Sequence, residues 1–425
     1  MLIQDQIQQL NKLEENTHQT EFNQLAEKLT SQGINIEEVL NQLKTFQVAI
    51  PSWALGSGGT RFGRYLFGGA PRNLFEKIED VGLLHQLTAN ADSISLHIPW
   101  DIPKDITAIK EAASAHQLRF DAVNSNTFQD QVDQQYSYKF GSLSHVEKEV
   151  REQAIAHNKE VIQLGTALGS KSITVWLADG SNFPGQNNFQ TALEHTQNSL
   201  QQITHALPDD WKMFIEYKPY EPHFYSTVIQ DWGTSFLLAN ACGPKAFTLV
   251  DLGHHLPNTN IEQIVATLMM QGKLGGFHFN DSKYGDDDVT VGSIQPYKLF
   301  LIFNELVYGM AKNTNNPPLA WMIDASHNTK DPLEDLLQSL DAILEAFAKA
   351  LLVDQTALKQ AQEQNDVVVC QELIQNAFKT DVRPLVSQMR QRAGAAIKPL
   401  VVYRKTQQRE IRIQNRGLDA LATGL

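Results

Sequence analysis

Residues 213–218 read Met213-Phe214-Ile215-Glu216-Tyr217-Lys218, and residues 247–254 read Phe247-Thr248-Leu249-Val250-Asp251-Leu252-Gly253-His254. Each is a short β-rich run ending in residues that carry chemistry, and a helical period lies between the two. The same pattern extends in both directions. Its runs are Gln47–Trp53, Ser93–Ile98, Arg119–Asn124, Lys171–Leu177, Met213–Tyr217, Phe247–Val250, Leu274–Phe279 and Ala320–Ile323, eight in all. Strands alternating with helices predict a parallel sheet with crossover connections, and eight repeats predict an α/β fold of the (β/α)8 TIM barrel type. A doubly wound open sheet is the structural alternative. In a barrel the site forms at the C-terminal ends of the strands. The residues there are Ser52-Trp53, His97, Asn124, Trp176, Glu216, Asp251, His278 and Asp324.

The flanks read as helices. Residues 1–45 form an N-terminal helical segment, in which Gly33 can end one helix and Asn35 with Glu38 resembles a capping box for the next. The catalytic barrel is expected over 46–352. Its last helix is opened by Asp331 as N-cap and Pro332 at N1, with Leu333, Leu336, Leu337, Leu340, Ile343, Leu344 and Phe347 at helical spacing against the barrel. Residues 353–425 read as a C-terminal helical extension that ends in the basic stretch Arg404 to Arg416. It either wraps the barrel or a neighbouring subunit, or is a charged, solvated helix.

Composition narrows the class. The 425 residues are 42% apolar and 20% charged, enough to bury a large core. Thirty-five Lys and Arg against forty-eight Asp and Glu leave a formal charge of −13, which argues against a nucleic acid or an acidic membrane surface as partner. Two cysteines, Cys242 and Cys370, are too few for a disulfide scaffold. The polar start Met1-Leu2-Ile3-Gln4-Asp5-Gln6 and the lack of a long apolar run lead us to expect a soluble, cytoplasmic protein with no membrane span.

Glu216, Asp251, Asp286, Asp288 and Asp324, with His254 and His278, would converge on one rim of the barrel. Two like charges 4 Å apart repel by about 4 kcal/mol at an effective dielectric of 20. Two divalent cations and Lys218 supply the balancing charge. Carboxylate oxygens with one imidazole per ion suit Mn²⁺, Mg²⁺ or Co²⁺, whereas zinc would favour thiolate or several imidazoles. One ion would take Glu216, Asp251, His278 and Asp324. A second would share Glu216 and use His254, Asp286 and Asp288, the last two chelating from one loop. Read singly, Asp251 or Asp324 could be no more than a helix N-cap. Trp53, Trp100, Phe128 and Trp176 are candidates for a sugar-stacking wall, or for ordinary packing under the rim. The glycine-rich run from Gly56 to Gly69 is no Walker A loop and is expected as a lid or an arm reaching a neighbour's site.

Glu-x-Lys, acid-x-x-His, Asp-x-Asp and a final Asp on successive strands are similar to the xylose isomerase-like barrels, although xylose isomerase itself has an Asp where this chain has His278. Ile50-Pro51-Ser52-Trp53-Ala54-Leu55-Gly56, Phe120-Asp121-Ala122-Val123-Asn124-Ser125-Asn126-Thr127-Phe128-Gln129-Asp130, Ile215-Glu216-Tyr217-Lys218-Pro219 and His278-Phe279-Asn280-Asp281-Ser282-Lys283-Tyr284-Gly285-Asp286 resemble the bacterial L-rhamnose isomerases of broad specificity. The resemblance covers roughly residues 47–330.

It implies a structural metal on Glu216, Asp251, His278 and Asp324 and a catalytic metal on Glu216, His254, Asp286 and Asp288. It also implies a homotetramer and Mn²⁺ as the favoured ion. Lys218, His97 and Asp324 would be catalytic. Lys218 would stand beside the sugar's O1, and His97 would bind the sugar and assist ring opening. In xylose isomerase that His is closely followed by an Asp; here the next is Asp101, a departure from the relay. The implied reaction interconverts L-rhamnose and L-rhamnulose by hydrogen transfer between C1 and C2, as hydride or through an enediol. A sugar epimerase or phosphodiesterase on the same barrel, and a non-catalytic sugar-binding protein, are the alternatives.

Overall fold

A computed structural model describes residues 2–56, 65–221, 225–325 and 329–421. The expected lid falls mostly on 57–64 and lies outside the described residues. The strands are β1 (Ala49–Pro51), β2 (Ser93–Ser95 continued by His97–Ile98), β3 (Arg119–Phe120 continued by Val123–Ser125), β4 (Ser172–Val175), β5 (Lys212–Glu216), β6 (Ala246–Asp251), β7 (Leu274–Phe279) and β8 (Ala320–Ile323).

Ten hydrogen-bonded segments thus make eight strands, because β2 and β3 are each interrupted once. All pair in parallel, each with its neighbours in sequence. The ring shuts where Ala49 of β1 pairs with Met322 of β8. A doubly wound sheet would leave two edges there. The closed ring is the TIM barrel.

Side chains alternate along each strand, so one file per strand points inward. Phe214, Phe247, Leu249 and Ala122 form a buried cluster inside the barrel, with Ala320 packed against it. Two residues after Phe214, Leu249 and Ala320's neighbour Met322 come Glu216, Asp251 and Asp324, the C-terminal members of the same files. His278 pairs in register with Asp251 on one side and Met322 on the other. Gly276 permits the close approach of β7 and β8, since a Cβ there would meet the Ala320 carbonyl oxygen at 2.3 Å.

Helices α1 (Leu2–Ser31) and α2 (Ile36–Thr45) precede the barrel. Asn35 Oδ1 accepts from the Glu38 amide at 3.2 Å, the cap read from the sequence. The outer helices are α3 (Leu74–Thr88), α4 (Ile106–Ala115), α5 (Lys148–Leu168), α6 (Phe189–Thr204), α7 (Trp232–Cys242), α8 (Ile261–Met270), α9 (Pro296–Lys312) and α10 (Pro332–Leu351). Leu336, Leu337, Leu340, Ile343 and Leu344 of α10 are fully buried. At about 1.5–3 kcal/mol each this face anchors the helix firmly. Among the described residues no helix is long and apolar enough to cross a membrane.

The extension continues as α11 (Gln355–Glu363), α12 (Val367–Lys379), α13 (Arg383–Arg392), α14 (Pro399–Lys405) and α15 (Gln408–Arg416). Both termini meet. Asn11 Nδ2 donates to the Ala395 carbonyl (2.8 Å), and His18 Nε2 lies 3.0 Å from Gln388 Oε1. The basic stretch is only partly solvated: Arg404 and Lys405 are exposed, whereas Arg412 and Arg416 are buried on Asp80 of α3 at 2.6 and 2.7 Å. Arg416 also donates to the Gly69 carbonyl, and the Gly69 amide donates to Gly417. Arg409 bonds the N-cap Asp331 (3.0 Å) and the Gly68 carbonyl (3.0 Å).

Candidate metal centre

Four strand ends bring Glu216, Asp251, His278 and Asp324 together, with one ligand atom from each lying within 4.8 Å of the others. His278 Nδ1 is 3.2 Å from Glu216 Oε1, 3.8 Å from Asp251 Oδ2 and 3.6 Å from Asp324 Oδ2. Asp251 Oδ2 is buried with no hydrogen-bond donor among the described residues. Three carboxylates around one imidazole, one of them with an orphaned oxygen, fit a divalent cation of oxygen-preferring type.

The second expected set lines the same cavity, which is walled by Glu216, Lys218, His254, His278, Asp286, Asp288 and Asp324 on one side. His254 Nδ1 is 3.0 Å from the Tyr217 carbonyl, an acceptor only, so Nδ1 carries the hydrogen and Nε2 faces Asp286 Oδ1 at 3.1 Å. A bare nitrogen lone pair against a carboxylate is repulsive. The pair needs a proton or a cation between or beside it.

Electrostatics says the same. Burial alone would lower both imidazoles, but Asp251, Asp286 and Glu216 outweigh it and raise His254 to about 10. Glu216, Asp324 and Asp251 likewise raise His278 to about 9. Burial lifts Asp251 to about 6 and also raises Asp324, while Glu216 is held low against burial by His278 and His254. The cluster calls for positive charge.

Loop geometry explains which aspartates face in. After β7, Asp287 accepts from the amides of Lys283, Tyr284 and Gly285 and folds the loop on itself. Its neighbours Asp286 and Asp288 have φ of 58° and 51°, a left-handed backbone that Asp tolerates better than most residues. The Asp286 amide donates to Gly253, tying this loop to the one after β6.

Lys218 Nζ sits 2.7 Å from Asp286 Oδ2 and 2.8 Å from Glu221 Oε2, and 5.3 Å from the Trp176 ring centroid. Glu221 was not foreseen. Its only signal is an i, i+3 spacing to Lys218 outside a helix. Asn280 gives no sign of its role in the sequence. Its Nδ2 donates to Asp251 Oδ1 (2.9 Å) and to the Asp324 carbonyl (3.0 Å), and lies 3.5 Å from Asp288 Oδ1. One amide thus braces three candidate ligand residues.

Trp53, His97, Phe128 and Trp176 line the same cavity. Phe128 meets Trp176 at 4.8 Å and His97 at 5.6 Å. Trp53 does more than pack: its Nε1 donates to Asp324 Oδ1 at 2.8 Å. Trp100 stands behind His97, stacked at 4.0 Å. Asp101 does not touch the His97 ring. Its Oδ2 accepts from the His97 amide (2.9 Å) and from the Ser52 hydroxyl, and its Oδ1 from Lys77 (2.6 Å). Burial lowers His97 to about 3, so the imidazole is neutral.

The family described as the xylose isomerase-like TIM barrel matches residues 87–326. The chain belongs to it. A probable sugar isomerase of Rhizobium meliloti (strain 1021) is 52% identical over 384 residues, 90% of this chain and 89% of the relative. A xylose isomerase of Thermus thermophilus is 24% identical over 263 residues, covering 57% of this chain and 64% of its own. Among solved structures, a D-allulose 3-epimerase from Methylomonas sp. superposes with a TM-score of 0.53 at 11% identity, over 71% of this chain and 96% of its own. That likeness concerns the xylose isomerase-like fold alone.

Proposed function

We propose that this protein is a metal-dependent aldose–ketose isomerase, with L-rhamnose and L-rhamnulose as its leading pair and a broad range of other sugars. The convergence of Glu216, Asp251, His278 and Asp324 carries the reading. The relative named a probable sugar isomerase, at 52% identity, supports it. Glu216, Asp251, His278 and Asp324 would hold one divalent ion, and Glu216, His254, Asp286 and Asp288 a second. An epimerase with a single ion would leave the inward turn of Asp286 and Asp288 without a purpose.

When bound, the ions supply Lewis acidity to the O1 and O2 oxygens of the sugar. The chain's own groups do the rest. Lys218 holds an ammonium beside O1, oriented by Glu221 and Asp286. His97, kept neutral by burial, would bind the sugar ring by hydrogen bonding and assist ring opening. Trp53 orients Asp324 through its indole N–H, and Phe128 with Trp176 keeps water from the reacting carbons. Oligomerisation as a homotetramer belongs to the same reading and is read by light scattering.

The test is turnover of L-rhamnose, L-lyxose, L-mannose, D-allose and D-xylose on EDTA-stripped protein with and without Mn²⁺. Ketose only with metal, L-rhamnose leading, is expected. Another leading sugar overturns the substrate and keeps the reaction. No turnover with Mn²⁺ demonstrably bound overturns the isomerase.

A further inference from the structure

Strands β1 and β2 pair in register only as far as Pro51 and Ser95. Beyond that point β1 turns into a short 3-10 helix, Ser52–Leu55, while β2 resumes as His97–Ile98 beside Asn124 and Ser125 of β3. The Asn124 amide donates to the Leu96 carbonyl, so by alternation the His97 amide faces the side that β1 has left. A buried amide there needs an acceptor. Asp101 supplies it. Its Oδ2 accepts from the His97 amide at 2.9 Å and from the Ser52 hydroxyl, and its own amide donates to the His97 carbonyl at 2.9 Å. A side chain thus stands where a strand would. Lys77 of α3 completes the group, with Nζ 2.6 Å from Asp101 Oδ1 and both side chains buried. A buried ion pair contributes little net stability over apolar residues of similar volume, and its best-attested use is to fix geometry. The geometry in reach is that of the site. Trp53 follows Ser52, meets the His97 ring edge-on at 5.4 Å and holds Asp324 through its indole N–H.

We propose that Asp101, balanced by Lys77, is a positioning residue that brackets the ends of β1 and β2 and thereby sets Trp53 and His97 relative to each other and to Asp324. Its effect on turnover rests on the isomerase reading above. Two observations separate this bracket from a proton relay. The carboxylate reaches the backbone of His97 and not its ring, whose Nδ1 has no hydrogen-bond partner among the described residues. Ser52, Lys77 and Asp101 are also absent from the described lining of the cavity, so the group acts through its neighbours. What the bracket requires of residue 101 is an oxygen that accepts from both Ser52 and His97. The negative charge is required only because Lys77 lies beside it. An amide oxygen also has two lone pairs, so a neutral residue can serve once Lys77 is neutral too.

The test compares Ser52→Ala, Asp101→Asn and the double variant Lys77→Met with Asp101→Asn on the Mn²⁺-loaded full chain. The readouts are kcat and KM for the leading aldose and near-ultraviolet circular dichroism, with Trp53→Phe defining the Trp53 band. Ser52→Ala unties β1 and keeps the ion pair. It should lower kcat at least about tenfold with KM within about threefold of the wild type, and lose at least half of the Trp53 band. Asp101→Asn strands the Lys77 ammonium and should lower kcat at least about thirtyfold. In the double variant the amide oxygen is free to face Ser52 and His97, and kcat should recover to within about fivefold of the wild type. The bracket is overturned if Ser52→Ala keeps either its kcat or the Trp53 band. It is equally overturned if the folded double variant is as slow as Asp101→Asn, which would make the carboxylate charge itself the working group. The band needs no turnover. A wild type that isomerises no sugar therefore sinks the isomerase reading, while the band in Ser52→Ala still decides the bracket.

Discussion

His97 is a histidine that stays neutral where histidines ordinarily titrate, because burial lowers it to about 3. The unfolded chain takes up that proton near pH 6.5 and the folded chain refuses it. Between about 6.5 and 3 the unfolded state binds more protons, so stability is complete above that window and falls as pH drops through it, by about 1.4 kcal/mol per pH unit. Urea denaturation at pH 7 and pH 5 should show a smaller acid loss in His97→Gln than in the wild type; equal losses would place the titrating group elsewhere. Glu216 touches both histidines of the cluster, and Glu216→Gln removes a shared ligand. Its activity is expected to drop at least a hundredfold, with Mn²⁺ binding by calorimetry weakened in parallel. The acidic and imidazole identities at this scale were legible, because strand-end residues are fixed by alternation. The contacts of Glu221 and Asn280 were not, since nothing in a linear spacing says which carboxylate or amide will meet Lys218 or Asp251.

Helix α15 and the loop after β7 show two kinds of element. The β7 loop is shaped by Asp287, whose carboxylate satisfies three amides and turns its neighbours inward. Reading Asp286-Asp287-Asp288 along the chain found a chelating pair at i, i+2, but only the folded loop explains why the middle carboxylate stays out of the site. On α15, the Arg412 and Arg416 guanidiniums close on Asp80, which is 1% exposed. Asp80→Ala strands two buried cations and is expected to cost about 3–5 kcal/mol in urea denaturation. The exposed pair Arg404–Glu334, at 2.6 Å, is the control, and Arg404→Ala should cost below about 1 kcal/mol. Similar losses in both variants would deny the α15 clamp its special weight. The sequence left this basic stretch open between docking and solvation, because charge alone does not reveal a buried partner more than three hundred residues earlier.

At the scale of the molecule, the candidate ligands tie together four neighbouring strands, β5 to β8, so a bound ion would reinforce the barrel as well as the chemistry. An ion that binds only the folded chain stabilises it by about 2.7 kcal/mol at a hundredfold excess over its dissociation constant. EDTA treatment should therefore lower the melting temperature by several degrees and Mn²⁺ restore it, in the wild type but not in Asp251→Asn. An unchanged melting curve on stripping would sink the metal centre.

Eight alternating runs with polar ends determined from the sequence alone a parallel α/β sheet and put Glu216, Asp251, His278 and Asp324 forward at strand ends, because side-chain period and strand direction are local properties. Closure at Ala49 and Met322 and the burial of α15 on α3 were decided only in three dimensions. Each depends on which distant groups meet, and that is set by packing the whole chain rather than by any segment of it.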